Sequence, residues 1–186
     1  MAFTTIESSR LILRRFQDAD LGAFLAYVND PLVARYQSWE SYTEAEARDI
    51  IEKEKRLEPG LPGHWFTFAL ESKETGALVG HVALNTLANK QGEIGFTLAR
   101  EFHGQGLAFE AATAVLGYAF RALGFHRIVG IADTDNGRSI ALLERLGMRR
   151  EGHFIENIWF KGKWGSEYLY AVLRKEWLER HADGKH

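Results

Sequence analysis

The sequence predicts a mixed α/β fold in one domain, residues 1–186, and three observations carry that prediction. Three consecutive stretches, "HWFTFALES", "ALVGHVALN" and "GEIGFTLA", read as strands and are separated by the short turn-forming stretches "KETG" and "LANKQ". At Gly106 the period changes to 3.6 and stays there to about Leu123 and Gly124. A strand pattern, a short helix and a two-strand ending then follow. A chain of 186 residues is long enough to bury a sizeable core without metal or disulfide support.

Each element has its own signal. "SSRLILRRFQDAD" alternates Leu11 and Leu13 with Ile12 and Arg14, a first strand, and "DADLGAFLAYV" carries Leu21, Phe24, Leu25 and Val28 at helical spacing until Asn29, Asp30 and Pro31 end it. Thr43 with Glu46 is a capping box, and Ala47, Ile50, Ile51 and Leu57 extend one apolar face until Pro59 and Gly60. The three-strand meander follows. The long helix after Gly106 has a narrow polar stripe of Glu110, Thr113, Gly117 and Arg121. "RIVGIA" is a buried strand, "SIALLERLG" a short helix closed by Gly147, and "MRREGHFIENIWF" and "EYLYAVL" a hairpin joined across "KGKWGS".

Composition excludes several function classes. With 46% hydrophobic residues, 26% charged residues and a formal charge of −2, the chain is neither disordered nor a phosphate-backbone binder, so nucleic acid is not expected as a direct partner. Zero cysteines remove disulfides, thiolate metal sites and a cysteine nucleophile, and no two histidines have metal-ligand spacing, so no metal is expected. The N-terminus lacks a long apolar run and no window approaches 18 apolar residues, so a cytoplasmic protein without a membrane partner is expected.

Two stretches carry chemistry. In "EIGFTLAREFHGQGLAFEA" a strand breaks into a glycine loop and then becomes a helix, an arrangement that gathers unpaired backbone N–H groups and holds anions. Gly104-Gln105-Gly106 alone is equally a plain turn. The dinucleotide fingerprint would need glycine where Phe109 stands, and a P-loop would need a lysine followed by Ser or Thr after Gly106. In "DTDNGRSIALLERLGM", Ser139 shares a helical face with Leu142, Leu143 and Leu146, so its hydroxyl points inward from the first turn; a local cap is its plainer role, as N-cap is for Asn136.

The order strand, "HGQGLA", helix, strand, "NGRS", then the short helix with "LLERLGM" resembles the acetyl-CoA-binding core of the GNAT acyltransferases. The opening "SRLILRRF" and the ending "EGHFIENIWFKGKW…YLYAVL" are similar to its RimJ/RimL branch, which acetylates N-terminal α-amines of ribosomal proteins. The resemblance covers nearly the whole chain. It implies a mostly antiparallel central sheet with flanking helices, splayed in the middle to admit acetyl-CoA. It also implies that the pyrophosphate loop is His103, Gly104, Gln105, Gly106, Leu107 and Ala108, with His103 replacing the usual Gln or Arg. Phe96, Thr97 and Leu98 would pair through their backbone with the pantetheine amides, and Asn136 would bond the same arm.

Many relatives place a tyrosine, the general acid, seven residues after this asparagine; here that residue is Leu143, and Ser139 is the implied substitute. For the base, the family's central-strand glutamate falls on Glu93, two residues before the splay, with Glu156 in reserve; two other carboxylate positions of the family fall at Ile131 and near Ile158. Tyr36 and Trp39 are the expected wall residues of the acceptor groove, and Trp65, Phe68, Trp159 and Trp164 are further aromatic candidates for it; His81 and His153 are expected to be structural.

The implied reaction moves acetyl from acetyl-CoA to a primary amine, foremost a protein or peptide α-amine such as a ribosomal N-terminus. Polyamine and aminoglycoside acceptors, a non-catalytic acyl-CoA sensor and a homodimer stay open; nucleotide-linked oxidoreduction lacks its glycine and its first βαβ unit. An α-amine, with a pKa of about 7.7 to 8.0 against about 10.4 for lysine, needs little activation. Glu93 acting through a water would suffice, with strand amides polarising the carbonyl.

Overall fold

The computed structural model describes residues 3–182. A first short strand β1 (Ile6–Glu7) and β2 (Leu11–Arg14) form a hairpin, followed by helices α1 (Leu21–Val28), α2 (Pro31–Ala34) and α3 (Glu44–Glu54). The meander is β3 (Trp65–Ser72), β4 (Leu78–Leu87) and β5 (Gln91–Leu98). Then come α4 (Leu107–Arg121), β6 (Arg127–Asp133), α5 (Gly137–Arg145), β7 (Arg149–Phe160), β8 (Lys163–Leu173) and α6 (Arg174–Arg180). The strands form one eight-stranded sheet in the order β1-β2-β3-β4-β5-β6-β8-β7, antiparallel except between β5 and β6.

Several elements differ from the sequence reading. Pro31 follows the end of α1 but also opens α2: Asp30 caps it by accepting from the Leu32 N–H at 2.8 Å, and proline suits the first helical position. The final hairpin turns on two residues, Lys161 (φ 48°) and Gly162 (φ 80°), so β8 begins at Lys163 and takes in "KWGS"; two left-handed residues match the strand twist. Helix α6 was not expected, because "RKEWLER" offers only Trp177 and Leu178 as an apolar face; Trp177 is buried against Phe120. The Thr43–Glu46 capping box forms, but α3 stops at Glu54, so Leu57 lies beyond it.

The two sheet faces have separate cores. Ala111, Ala112, Val115, Leu116, Ala119 and Phe120 of α4 pack on the face presenting Val82, Leu84, Ile94, Ile128 and Val172. The polar stripe of α4 meets the β1–β2 turn, where Glu110 accepts from the Ser8 hydroxyl at 2.8 Å and from the backbone N–H of Arg10 at 2.6 Å. On the opposite face, α1 and α3 cover Phe16, Ala69 and Leu78, with Phe24, Tyr27, Ala47 and Ile51 as their inward residues.

His81 sits under this second core, its Nδ1 2.8 Å from the Tyr27 hydroxyl, and burial pushes its pKa from 6.5 down to about 4. It is therefore neutral in the folded protein while the unfolded chain takes up a proton below about pH 6.5. The contribution is fully present above that value and is lost as pH falls toward 4, by about 3 kcal/mol in all. Urea midpoints at pH 7 and pH 4.5 are expected to separate further for the native chain than for His81→Gln, which does not titrate. Equal separations would show that His81 carries none of the acid sensitivity.

Candidate active site

The site begins where two strands part. β5 pairs with β4 along its whole length, from Gln91 to Leu98, but with β6 only through Gln91, Gly92 and Glu93 against Arg127, Ile128 and Val129. β6 stays with β8 as far as Asp133 opposite Glu167. The sheet therefore forks after Glu93. The Ala99 N–H donates to the Val79 carbonyl at 3.0 Å, and antiparallel pairing alternates. Odd residues of β5 thus turn their peptide groups to β4, while Ile94, Phe96 and Leu98 turn theirs into the fork. Thr97 is a correction to the expected trio: its peptide faces His81 across β4, and its side chain is 5% exposed. Glu93 also stands at the last pair before the fork, not two residues before it.

At the wide end of the fork lies the glycine loop. Gly104 (φ 76°) and Gly106 (φ 78°) both occupy the left-handed region, which only glycine enters without strain. Gly106 is the N-cap of α4 and supplies no side-chain cap. The first helical bond is Glu110 N–H to the Gly106 carbonyl at 3.1 Å, so the N–H groups of Leu107, Ala108 and Phe109 have no intrahelical acceptor. A Cβ at Gly104 would meet nothing within 4 Å, so the approach is open. Free amides, the positive end of a 15-residue helix and room for an anion together fit a phosphate group.

The loop is held from three sides. His103 Nε2 lies 2.9 Å from the Leu98 carbonyl and its Nδ1 3.0 Å from Arg138 Nη1. Arginine can only donate, so Nδ1 accepts and Nε2 carries the hydrogen. Gln105 donates from its side chain to the Glu101 carbonyl at 2.8 Å, and Arg10 Nη1 donates to the Gln105 carbonyl at 2.9 Å. Arg10 and Arg138 thus place two cations beside the loop. Sequence reasoning missed both, since each reaches it from a distant element.

Asn136 and Ser139 open α5 on the other arm. Asn136 is its N-cap, Oδ1 accepting from the Ser139 N–H at 3.2 Å, and both residues line a cleft of about 260 Å³ together with Gly95, Phe96 and Tyr36. Leu143 is 1% exposed and fills the space above Gly130, where a Cβ would stand 2.6 Å from its Cδ2; it belongs to the core. Glu93 is half-buried, and burial first, then the charge of Glu167, raises its pKa above the ordinary carboxylate value. Glu167 was not singled out from the sequence; it lines the cleft, and Asn157 Nδ2 donates to its Oε2 at 2.6 Å. Ile131 and Ile158, the two family carboxylate positions, also line the cleft and carry no charge. Glu156, the reserve base, is exposed in the left-handed region at φ 47°, within an irregular stretch of β7.

The two expected wall residues separate. Tyr36 lines the cleft and donates from its hydroxyl to the Asp135 carbonyl at 3.1 Å, and Lys161 Nζ donates to the Ala34 carbonyl at 2.6 Å, so two bonds tie the end of α2 and the residues after it across the cleft. Trp39 does not join them. Its indole donates to the Val28 carbonyl at 3.0 Å and packs beside Tyr42 and His81, because the chain turns back under α1 after Ser38. Among the other aromatics Phe68 is buried, whereas Trp65, Trp159 and Trp164 are exposed. His153 packs on Tyr168.

Among the described residues no helix is long and apolar enough to cross a membrane. The acetyltransferase (GNAT) domain family matches residues 10–149. The chain is 32% identical over 173 residues to the uncharacterized N-acetyltransferase YnaD of Bacillus subtilis, covering 92% of this chain and 98% of that protein. It is 34% identical over 84 residues to the [ribosomal protein uS5]-alanine N-acetyltransferase of Escherichia coli, covering 45% and 43%. Among solved structures, a GNAT-family acetyltransferase from Bacillus anthracis superposes with a TM-score of 0.83 at 31% identity over 93% of this chain and 100% of that one. The fold is also that of a spermidine N-acetyltransferase from Vibrio cholerae, solved with CoA and spermine (TM-score 0.80, 22% identity, 91% and 99% covered). With the family matched over residues 10–149 and a relative 32% identical over nearly its whole length, the chain belongs to the GNAT acetyltransferases, enzymes that transfer an acyl group from acetyl-CoA.

Proposed function

We propose that this N-acetyltransferase acts on peptide or protein N-terminal α-amines. One observation carries this reading: Glu93, half-buried at the fork with a raised pKa, stands beside the open peptide edge of β5. A single weakly acidic carboxylate acting through water is enough for an amine that is already partly neutral at pH 7. The similarity to an α-amine acetyltransferase over 84 residues supports the same acceptor class.

In this reading the pyrophosphate rests on the amides of Gln105 to Ala108 between Arg10 and Arg138, and the pantetheine arm lies along Phe96 and Leu98. The ammonium of the acceptor gives one proton to Glu93 through water. The neutral nitrogen then attacks the thioester carbonyl, whose oxygen is polarised by a strand N–H. The tetrahedral intermediate then collapses: its second amine proton passes to the Ser139 oxygen as the Ser139 hydroxyl gives its own proton to the departing sulfur, so the C–S bond breaks with release of CoA as the thiol and Ser139 is left neutral.

Thiol release from acetyl-CoA, measured with Ala-, Ser- and Met-initiated peptides alongside spermidine and an aminoglycoside, tests the acceptor. Peptides are expected to turn over fastest. Turnover of spermidine alone would overturn the α-amine reading, and no turnover with bound acetyl-CoA would indicate a sensor. Ser139→Ala is expected to lower kcat by about tenfold or more with a smaller effect on acetyl-CoA affinity. Retained kcat with weakened affinity would make Ser139 a binding or capping residue.

A further inference from the structure

We propose that Glu167 is the acceptor-binding carboxylate of this cleft, receiving the substrate amine as an ammonium ion before Glu93 removes its proton. The proposal rests on the amine-acceptor reading above, but not on the acceptor being an α-amine. Register places the two carboxylates on one face of the sheet: Glu93 stands opposite Val129, and Glu167 opposite Asp133, four residues further along the same strand. Residues directly opposite share a face, as do positions two apart, so both side chains lie on the face away from α4.

Three observations make this a cation receptor. Among the described residues neither Glu93 nor Glu167 has an ion-pair partner, although most other half-buried acids of the fold do, Glu110 with Arg10 and Glu71 with Arg14 among them. Directly opposite Glu93 on β4, the Asn85 side-chain oxygen is buried with no donor, so Glu93 has no donor from that side either. Finally, Glu167 is aimed: Asn157 fixes Oε2 at 2.6 Å, which leaves Oε1 for a ligand. A buried acceptor without a donor is costly, and an ammonium ion supplies three. Its arrival also removes the like-charge repulsion from Glu167 that adds to burial in raising the Glu93 pKa.

Asp133 is the rival. It also lines the cleft and, among the described residues, has no ion-pair partner either, but its Oδ1 is engaged by its own loop, accepting from the Asp135 N–H at 2.7 Å, whereas Glu167 is held by a side chain of the neighbouring strand.

Binding in dead-end complexes separates the two. With saturating CoA, which permits no transfer, the dissociation constant of an Ala-initiated hexapeptide is compared with that of its desamino counterpart. The native enzyme is expected to favour the amine by about tenfold or more, the size of one charge-assisted hydrogen bond. Glu167→Gln is expected to bring that ratio near one and raise KM for the acceptor. Its KM for acetyl-CoA should change little, its kcat at saturating acceptor should fall by less than the acceptor KM rises, and Glu167→Asp should restore part of the preference. Asp133→Asn should leave the ratio in place. An unchanged ratio in Glu167→Gln, or its loss in Asp133→Asn alone, overturns the inference. If Glu167→Gln does not fold, Asn157→Leu, which releases the carboxylate, must lower the ratio or the inference fails. Should no peptide be acetylated, the α-amine reading fails while this one is tested unchanged with hexylamine against hexanol.

Discussion

Gly106→Val is expected to raise the dissociation constant for acetyl-CoA about hundredfold, the loss of one or two charge-assisted hydrogen bonds. The cause is backbone geometry more than crowding. A Cβ at Gly106 would find its nearest neighbour, Arg10 Nη2, at 3.6 Å, an ordinary contact. The φ of 78°, however, is strained for any residue with a Cβ and most for a β-branched one. Valine would pull the peptide toward negative φ, turn the amides of the first α4 turn away from the phosphate and set its methyl groups where the phosphate must approach. Calorimetry on the variant, with thermal melting as the folding check, measures this. Unchanged affinity in a folded Gly106→Val protein would falsify the loop as the pyrophosphate site.

Glu93→Gln should have the second large effect, and it depends on the acceptor. If the carboxylate deprotonates the amine through water, the loss in kcat/KM is greatest, about hundredfold, against an alkylamine of high pKa and smaller against a peptide α-amine that is already partly neutral. The deficit should shrink as pH rises toward the acceptor's own pKa, where solvent supplies the neutral amine. In the native enzyme, burial and Glu167 raise the Glu93 pKa, so the acid limb of the profile lies above the ordinary carboxylate range and moves down in Glu167→Gln. A deficit equal for both amines and flat in pH would assign Glu93 to positioning and leave the base elsewhere.

Local pattern made most elements and the loop legible. The period change at Gly106, the two glycines and the unpaired helix start all lie within a few residues, so the sequence alone brings them together. The inward face of α5 was equally local: Ser139 lines the cleft and Leu143 is buried, as their spacing requires. What stayed hidden depends on pairing between distant segments. The fork arises because β5 and β6 share only three pairs, a register that neither strand encodes separately. Thr97 looked equivalent to Phe96 and Leu98 until the direction of its peptide was set by β4. Glu167 heads an ordinary strand pattern and gains its position from Asp133 across β6. Arg138 reaches His103 across 35 residues, and Trp39 could be told from a cleft wall only by the turn that carries it under α1. Side-chain type proposed the chemistry; tertiary register decided which side chains meet.

Acetyl-CoA is expected to enter the fork with its phosphates on the start of α4 and its thioester between Ser139 and Glu93. A crystal structure of the acetyl-CoA complex tests it most directly. The pyrophosphate oxygens are expected within hydrogen-bonding distance of the amides of Gln105 to Ala108, and the pantetheine amides against the Phe96 and Leu98 peptide groups. A pyrophosphate seated away from the α4 N-terminus, or an acyl arm lying outside the fork, would contradict it.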